Sequence, residues 1–142
     1  MYSEYEILGT SQQIRKVMDQ ACEPLMEACG LRHIELDILY LISREKEKNT
    51  AKDLIDIQHM SKAHISKSVD NLRRHGYIEL VADELDHRKI HIRIAPAGEP
   101  VIQEFKKIRR RILEQLFAGV TEEERECLRT VMRKIEKNIH SE

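Results

Sequence analysis

One short stretch of this chain alternates strictly with period two, while almost everything around it has the period of a helix. In KIHIRI (Lys89 to Ile94) the isoleucines Ile90, Ile92 and Ile94 take every second position, and Lys89, His91 and Arg93 take the others. That is the pattern of a half-buried strand, apolar side in and polar side out. Just upstream, YIELVA (Tyr77 to Ala82) is a second β-prone run, and the polar DELDHR lies between them. Two such runs around a polar loop predict a β-hairpin.

The flanking segments are helical. From Gln12 to Cys29, Ile14, Val17, Met18, Ala21, Cys22, Leu25, Met26 and Cys29 recur at steps of three and four, the stripe of an amphipathic helix, with Gly30 as its stop. Ile34 to Ser43 is dense enough in apolar residues for a fully buried helix. Asn49 or Thr50 can cap a short third helix, and Ser61 a fourth with Ile65, Val69 and Leu72 inward. Gly76 closes the fourth after Arg73, Arg74 and His75, cations that suit the end of a helix dipole. Pro96, Gly98 and Pro100 punctuate the exit from the hairpin. Val101, Phe105, Ile108, Ile112 and Leu116 then mark a long helix, and Thr121 with Glu124 is a capping box opening the last one. The predicted fold is mainly α with a small β-hairpin wing: four helices, a hairpin, two helices.

The centre of this order is a helix-turn-helix followed by a hairpin, a winged helix. With Ile65, Val69 and Leu72 turned in, Ser61, Lys62, His64, Ser66, Lys67 and Asn71 are left on or near the outer face of the fourth helix. Such side chains suit a DNA major groove, as readers of base edges and as positive charge toward phosphate. From Ser61 to His75 there are four Lys or Arg against one Asp, in a chain whose formal net charge is only -1. Bulk charge names no partner; the signal is local. A lysine-rich outer face is equally what a solvated helix carries. The hairpin shifts the balance: Arg88 at its tip suits a narrow minor groove, and Asp86 can brace the guanidinium as a bidentate pair. His87 shares the tip, and Lys89, Arg73 and Arg74 can neutralise phosphates.

These residues resemble the MarR family of bacterial transcriptional regulators. The resemblance rests on AKDLIDIQHMSKAHISKSVDNLRRHGYIE, on the wing motif Asp86-His87-Arg88, and on the long flanking helices. It implies an obligate homodimer, with residues 1–30 and 99–142 as a helical dimerisation platform and 31–98 as the winged DNA-binding lobe. The segment from Ser61 becomes the recognition helix, Arg88 the wing arginine and Asp86 its brace. Where the family often has Leu-Thr after the second wing strand, this chain has Ala95-Pro96-Ala97-Gly98, so a distorted start to the fifth helix is expected. The recognition helix has Ser66-Lys67 or His64 where the family often carries Arg, which leaves base preference open.

The dimer also follows from the apolar faces at the two chain ends, which need a symmetric partner to bury them. Two recognition helices would then meet half-sites roughly 34–36 Å apart on a pseudo-palindromic operator. The basic run Lys106 to Arg111 on the fifth helix could touch nucleic acid or an anionic ligand, but is expected to be a solvated face balancing the acidic TEEERE after it.

Cys22, Cys29 and Cys127 are odd in number and without CxxC spacing, as in a reducing compartment. No run approaches the roughly 18 apolar residues of a membrane span, and the first residues are not signal-like. A cytoplasmic location is expected. Cys22 and Cys29 lie where some family members sense peroxide; Cys22 is on the apolar face, and Cys29 neighbours Arg32 and His33. Glu23, Cys29 and His33 are zinc-ligand types, but the fifth helix lacks the histidines of the zinc-sensing pattern, and His59, His64, His75, His87 and His91 supply no helical ligand pair. No metal and no cofactor are expected. An apolar or phenolic effector would bind near Met18, Cys22, Met26, Ile38 and Tyr40, residues equally suited to plain core. No nucleophile–base, paired-acid or phosphate-loop signature suggests an enzyme. The expectation is a dimeric repressor released by a small ligand. A redox- or metal-responsive regulator, or a winged helix that binds protein, are the alternatives.

Overall fold

The computed structural model describes residues 3–58 and 60–141. In chain order these form α1 (Glu4–Cys29), α2 (His33–Arg44), α3 (Ala51–Gln58), α4 (Lys62–Arg74), β1 (Ile78–Ala82), β2 (Ile90–Ile94), α5 (Gly98–Leu116) and α6 (Glu122–His140). They divide into two compact units, the first running to Arg110 and the second beginning at Arg111. The fold is mainly α with one two-stranded antiparallel sheet, a winged helix-turn-helix.

Helix starts follow local capping chemistry. The side chains of Ser3 and Glu6 each bond the other's backbone N–H, so α1 begins at Glu4 rather than near Gln12. Thr50 and Asp53 cap each other in the same way at α3, and Ser61 Oγ accepts from the His64 N–H at α4. Gly30 ends α1 with φ 69°, and a Cβ there would come within 2.7 Å of the His75 ring. Backbone conformation and close approach both require glycine at this point.

The core of the first unit is built from Leu36, Leu39, Leu54, Ile65, Leu72 and Ile92, all essentially without solvent contact, together with Phe105 from α5. The C-terminal end of α1 is joined to the residue before β1: Tyr77 Oη donates to the carbonyl of Cys29 at 3.0 Å. The expected distortion at Pro96 is absent. α5 runs as one helix from Gly98, because Gly98 lets its backbone pass the Tyr77 carbonyl, where an added Cβ would lie 2.4 Å from the oxygen. α2 is not fully buried; Tyr40 and Leu41 are half-buried, and its buried face includes the polar Glu35.

The hairpin pairs Ile78 with Ile94, Leu80 with Ile92 and Ala82 with Ile90. Its alternation departs from expectation at the far end. Ile92 is buried, yet Ile90 is 48% exposed, while His91 is half-buried. A two-stranded ribbon that projects beyond the helices has nothing to cover Ile90. His91 is roofed by Asn49 and Asp83 instead of facing water. The Ile92 N–H donates to the Asn49 carbonyl at 2.8 Å, tying the wing to the turn before α3.

In the second unit, Thr121 and Glu124 form the expected capping box and Arg129 pairs with Glu122 and Glu126, both at 2.7 Å. No residue of α6 is buried. Leu128, Val131, Met132, Ile135 and Ile139 form an apolar stripe open along its length.

Candidate nucleic-acid interface

α4 has a sharp division of faces. Ile65, Ser68, Val69 and Leu72 are buried. Lys62, His64, Ser66 and Lys67 are exposed, as is the cap Ser61, whose Oγ lies 2.9 Å from His64 Nδ1. At the C-terminal end Asp70 pairs with Arg73 at 2.8 Å and Arg74 at 3.1 Å. The Arg73 hydrogen bond, aided by Arg74, holds the Asp70 carboxyl below its ordinary range. Both arginines are exposed, so their remaining N–H groups face outward.

Asn71 is not where the sequence suggested. Its amide turns inward, donating to Glu35 Oε1 at 2.9 Å and, more weakly, to the Gly30 carbonyl. Glu35 is fully buried. Its Oε1 also accepts from the Arg32 backbone N–H at 2.9 Å, and its Oε2 from Arg32 Nη2 at 3.1 Å. The same Arg32 Nη2 reaches Ser68 Oγ at 3.0 Å. Two residues on the inner edge of α4, Ser68 and Asn71, are therefore fastened to the start of α2. No buried carboxyl was legible in the sequence. Only the E at the third position of α2 hinted at a cap, and the hint said nothing of α4.

The wing tip is ordered by an aspartate that sequence reasoning passed over. Asp83 Oδ2 accepts from the N–H groups of Leu85 and Asp86, at 3.0 and 2.9 Å, and its Oδ1 lies 2.7 Å from His91 Nε2. His91 Nδ1 in turn lies 2.7 Å from Asn49 Oδ1. The His91 hydrogen bond, followed by the two backbone donors, lowers the Asp83 pKa to about 2. This chain of contacts anchors the loop to the body of the unit. Asp86 braces Arg88, but not as a bidentate fork: one oxygen, Oδ1, accepts from both the Arg88 backbone N–H at 3.1 Å and its Nε at 3.3 Å. The Arg88 side chain is 93% exposed, and its outer guanidinium nitrogens have no hydrogen-bond partner among the described residues. His87 and Lys89 are exposed beside it, and Arg93 is exposed on β2. His59 lies outside the described residues.

A model of the MarR family matches residues 30–89, the span from the end of α1 to the wing. Over this span the chain is similar to the MarR family. It is 27% identical over 139 residues to the uncharacterized HTH-type transcriptional regulator YdgJ of Bacillus subtilis, covering 97% of this chain and 82% of that protein. It is 26% identical over 105 residues to the HTH-type transcriptional regulator BilQ of Clostridioides difficile, covering 73% and 67%. Among solved structures it resembles the MarR protein from Peptoclostridium difficile, with TM-score 0.83, 18% identity, and 96% and 89% of the two chains covered. It also resembles the Staphylococcus aureus MepR–DNA complex, with TM-score 0.79, 19% identity, and 97% and 99% covered. At these identities the solved structures establish the fold.

The residues first considered for an effector lie in the first unit. Cys22 and Ile38 are fully buried; Met18, Met26 and Tyr40 are half-buried. Burial, with Asp37 and Asp19 nearby, pushes the Cys22 thiol up to about 11. His33 bridges α1 and α2 through close contact with Asp19 and a 3.7 Å approach to Asp37. Arg109 reaches Asp37 at 3.8 Å and lies over the Tyr40 ring at 4.7 Å from its centroid. The basic run on α5 is thus not a uniformly solvated face. Arg109 sits one turn beyond the buried Phe105 and turns inward with it. Among the described residues no group of three His, Cys, Asp or Glu is placed to hold a metal ion.

Proposed function

We propose that this protein is a homodimeric, sequence-specific transcriptional regulator that binds double-stranded DNA, a repressor released by a small ligand, and not an enzyme. The observation that carries the reading is the pairing of a basic outer face on α4 with an almost wholly exposed, acid-braced Arg88 on an anchored wing. Ser61, Lys62, His64, Ser66 and Lys67 enter the major groove, Arg88 and His87 address the minor groove, and Arg73, Arg74 and Lys89 neutralise phosphates. Asp86 acts by holding Arg88. Asn71 and Glu35 act by setting how α4 is held.

The apolar faces support a dimer. Tyr5, Leu8, Ile14 and Val17 on α1 are open, as is the stripe on α6. A second copy can cover both, as a closed twofold pair requires. An effector that binds better to a lobe spacing mismatched with the operator lowers DNA affinity by its differential affinity for the two states. Met18, Met26 and Tyr40 are the members of the proposed effector group with solvent contact; Cys22 and Ile38 would line it from the core. Such a regulator works in the cytoplasm, beside the chromosome.

The reading is supported by the names of the relatives and by the solution of MepR on DNA. It is tested by titrating the protein against DNA from upstream of its own gene over a range of salt. Tight, salt-steep binding that depends on a pseudo-palindrome is expected. Binding indifferent to sequence on every fragment selected from a random pool would overturn it.

A further inference from the structure

A cleft of about 560 Å³ opens between the end of α2, strand β2 and the first turns of α5. Its lining residues include none from α4, from the wing tip or from the Met18–Tyr40 group. Three cations converge on it from three different elements: Lys46 from the segment after α2, Arg93 from β2 and Lys106 from α5. None of the three has an ion-pair partner among the described residues. This contrasts with two neighbours on α5, where Lys107 pairs with Glu104 and Arg109 with Asp37. Lys106 is half-buried, so its charge is partly removed from water without a counter-charge.

Glu99 is the one acid lining the cleft. Three cations against one acid leave a net charge of about +2, which concave walls concentrate. Ile42 and Ile92, both buried, form an apolar floor. The volume is within the range of small-molecule sites and far exceeds what inorganic phosphate occupies.

We propose that this cleft binds a small organic dianion, of the phosphomonoester type, with its headgroup between Lys46, Arg93 and Lys106 and its organic body on the isoleucine floor. Arg93 supplies the planar donor pair suited to a tetrahedral or carboxylate headgroup, and the lysines supply mobile point charges. Glu99 accepts from a hydroxyl or amine of the body. The site does not depend on the protein reading DNA.

The test uses the full-length protein and phenyl phosphate as the probe, followed by calorimetry and by the methyl signals of Ile42, Ile92 and Ile94. Inorganic phosphate and benzyl alcohol separate headgroup from body. Saturable binding of phenyl phosphate that shifts these methyls is expected, at least tenfold tighter than inorganic phosphate, with no saturation by benzyl alcohol. Lys46→Gln with Lys106→Gln is expected to weaken phenyl phosphate at least tenfold while leaving the circular dichroism unchanged. Absence of saturable binding would overturn the proposal, and so would equal affinity for inorganic phosphate. Should the double variant not fold, Arg93→Gln on the exposed strand face gives the same reading. If the variants flatten the salt dependence of DNA binding and leave phenyl phosphate binding unchanged, the cations are phosphate contacts for DNA and the proposal fails.

Discussion

Asn71 donates its amide hydrogen to Glu35 Oε1 across 2.9 Å, and through this bond the helix that faces outward with Lys62 and Lys67 is fastened to a fully buried carboxyl at the start of α2. A hydrogen bond to a buried acid adds to apolar packing in resisting rotation of α4, because breaking it strands polar groups. We predict that Glu35→Ala costs about 3 kcal/mol of stability, since it leaves Asn71 only the weak bond to the Gly30 carbonyl and the inner guanidinium of Arg32 only Ser68 Oγ. Asn71→Ala should cost about 1–2 kcal/mol. Urea unfolding of both single variants and the double variant gives the coupling; strictly additive losses would mean that the two side chains do not act together.

The wing loop should respond to acid through Asp83. Its carboxyl ionises near 3.8 in an open chain and at about 2 here. A lowered folded pKa contributes stability that is complete above the unfolded value and is lost as pH falls through the folded one. The amide signals of Leu85 and Asp86 should therefore be steady from pH 7 to 5 where Asp83 is concerned, and should collapse toward open-chain positions between about pH 4 and 2. Asp83→Asn should loosen the loop already at neutral pH. A loop that keeps its shifts to pH 2 would show that Asp83 does not organise it.

Arg88→Ala is predicted to leave folding within about 0.5 kcal/mol of the parent, because the side chain's ion pair is with Asp86 and it is almost wholly in water. If the minor-groove role is correct, operator affinity should fall about tenfold or more and the salt slope should flatten by about one charge. Asp86→Asn should fall between parent and Arg88→Ala, since it frees the guanidinium without removing it. Equal binding by all three proteins would dismiss the wing from DNA contact.

Ile135 lies in the middle of the open stripe on α6. Replacing Val131 and Ile135 with Asp places charge at the centre of the proposed dimer contact. Sedimentation of the parent should give a dimer at micromolar protein and the variant a monomer. A parent that sediments as a monomer at every concentration would rule the homodimer out.

Cys22 should be silent toward alkylating reagents. Burial pushes its thiol up to about 11, so little thiolate is present at neutral pH. Mass spectrometry after iodoacetamide treatment should find Cys127, which is exposed, modified first, and Cys22 only after unfolding. Rapid modification of folded Cys22 would revive a peroxide-sensing role.

Much of this molecule was written locally. The helix starts at Ser61 and Thr121, the stop at Gly76, the hairpin and the inward row Ile65, Val69 and Leu72 are all visible in runs of a few residues. Capping, turns and periodicity need only near neighbours, so the chain order and, Asn71 apart, the outer face of α4 follow from the sequence by itself. The brace between Asp86 and Arg88 was legible for the same reason, though not that a single oxygen accepts both bonds. What tertiary structure decided are the contacts between residues far apart in the chain. Ser68 and Asn71 meet Arg32 and Glu35 from 36 positions away, and Asn49 reaches across 42 to His91. An asparagine on a helix shows no sign in sequence of whether a carboxyl waits on its inner side, and an isoleucine in an alternating strand shows none of whether a layer covers it. Those depend on which surfaces the folded chain brings together, which is why Asn71 turned inward, Ile90 stayed in water, and Glu35 became the buried anchor of α4.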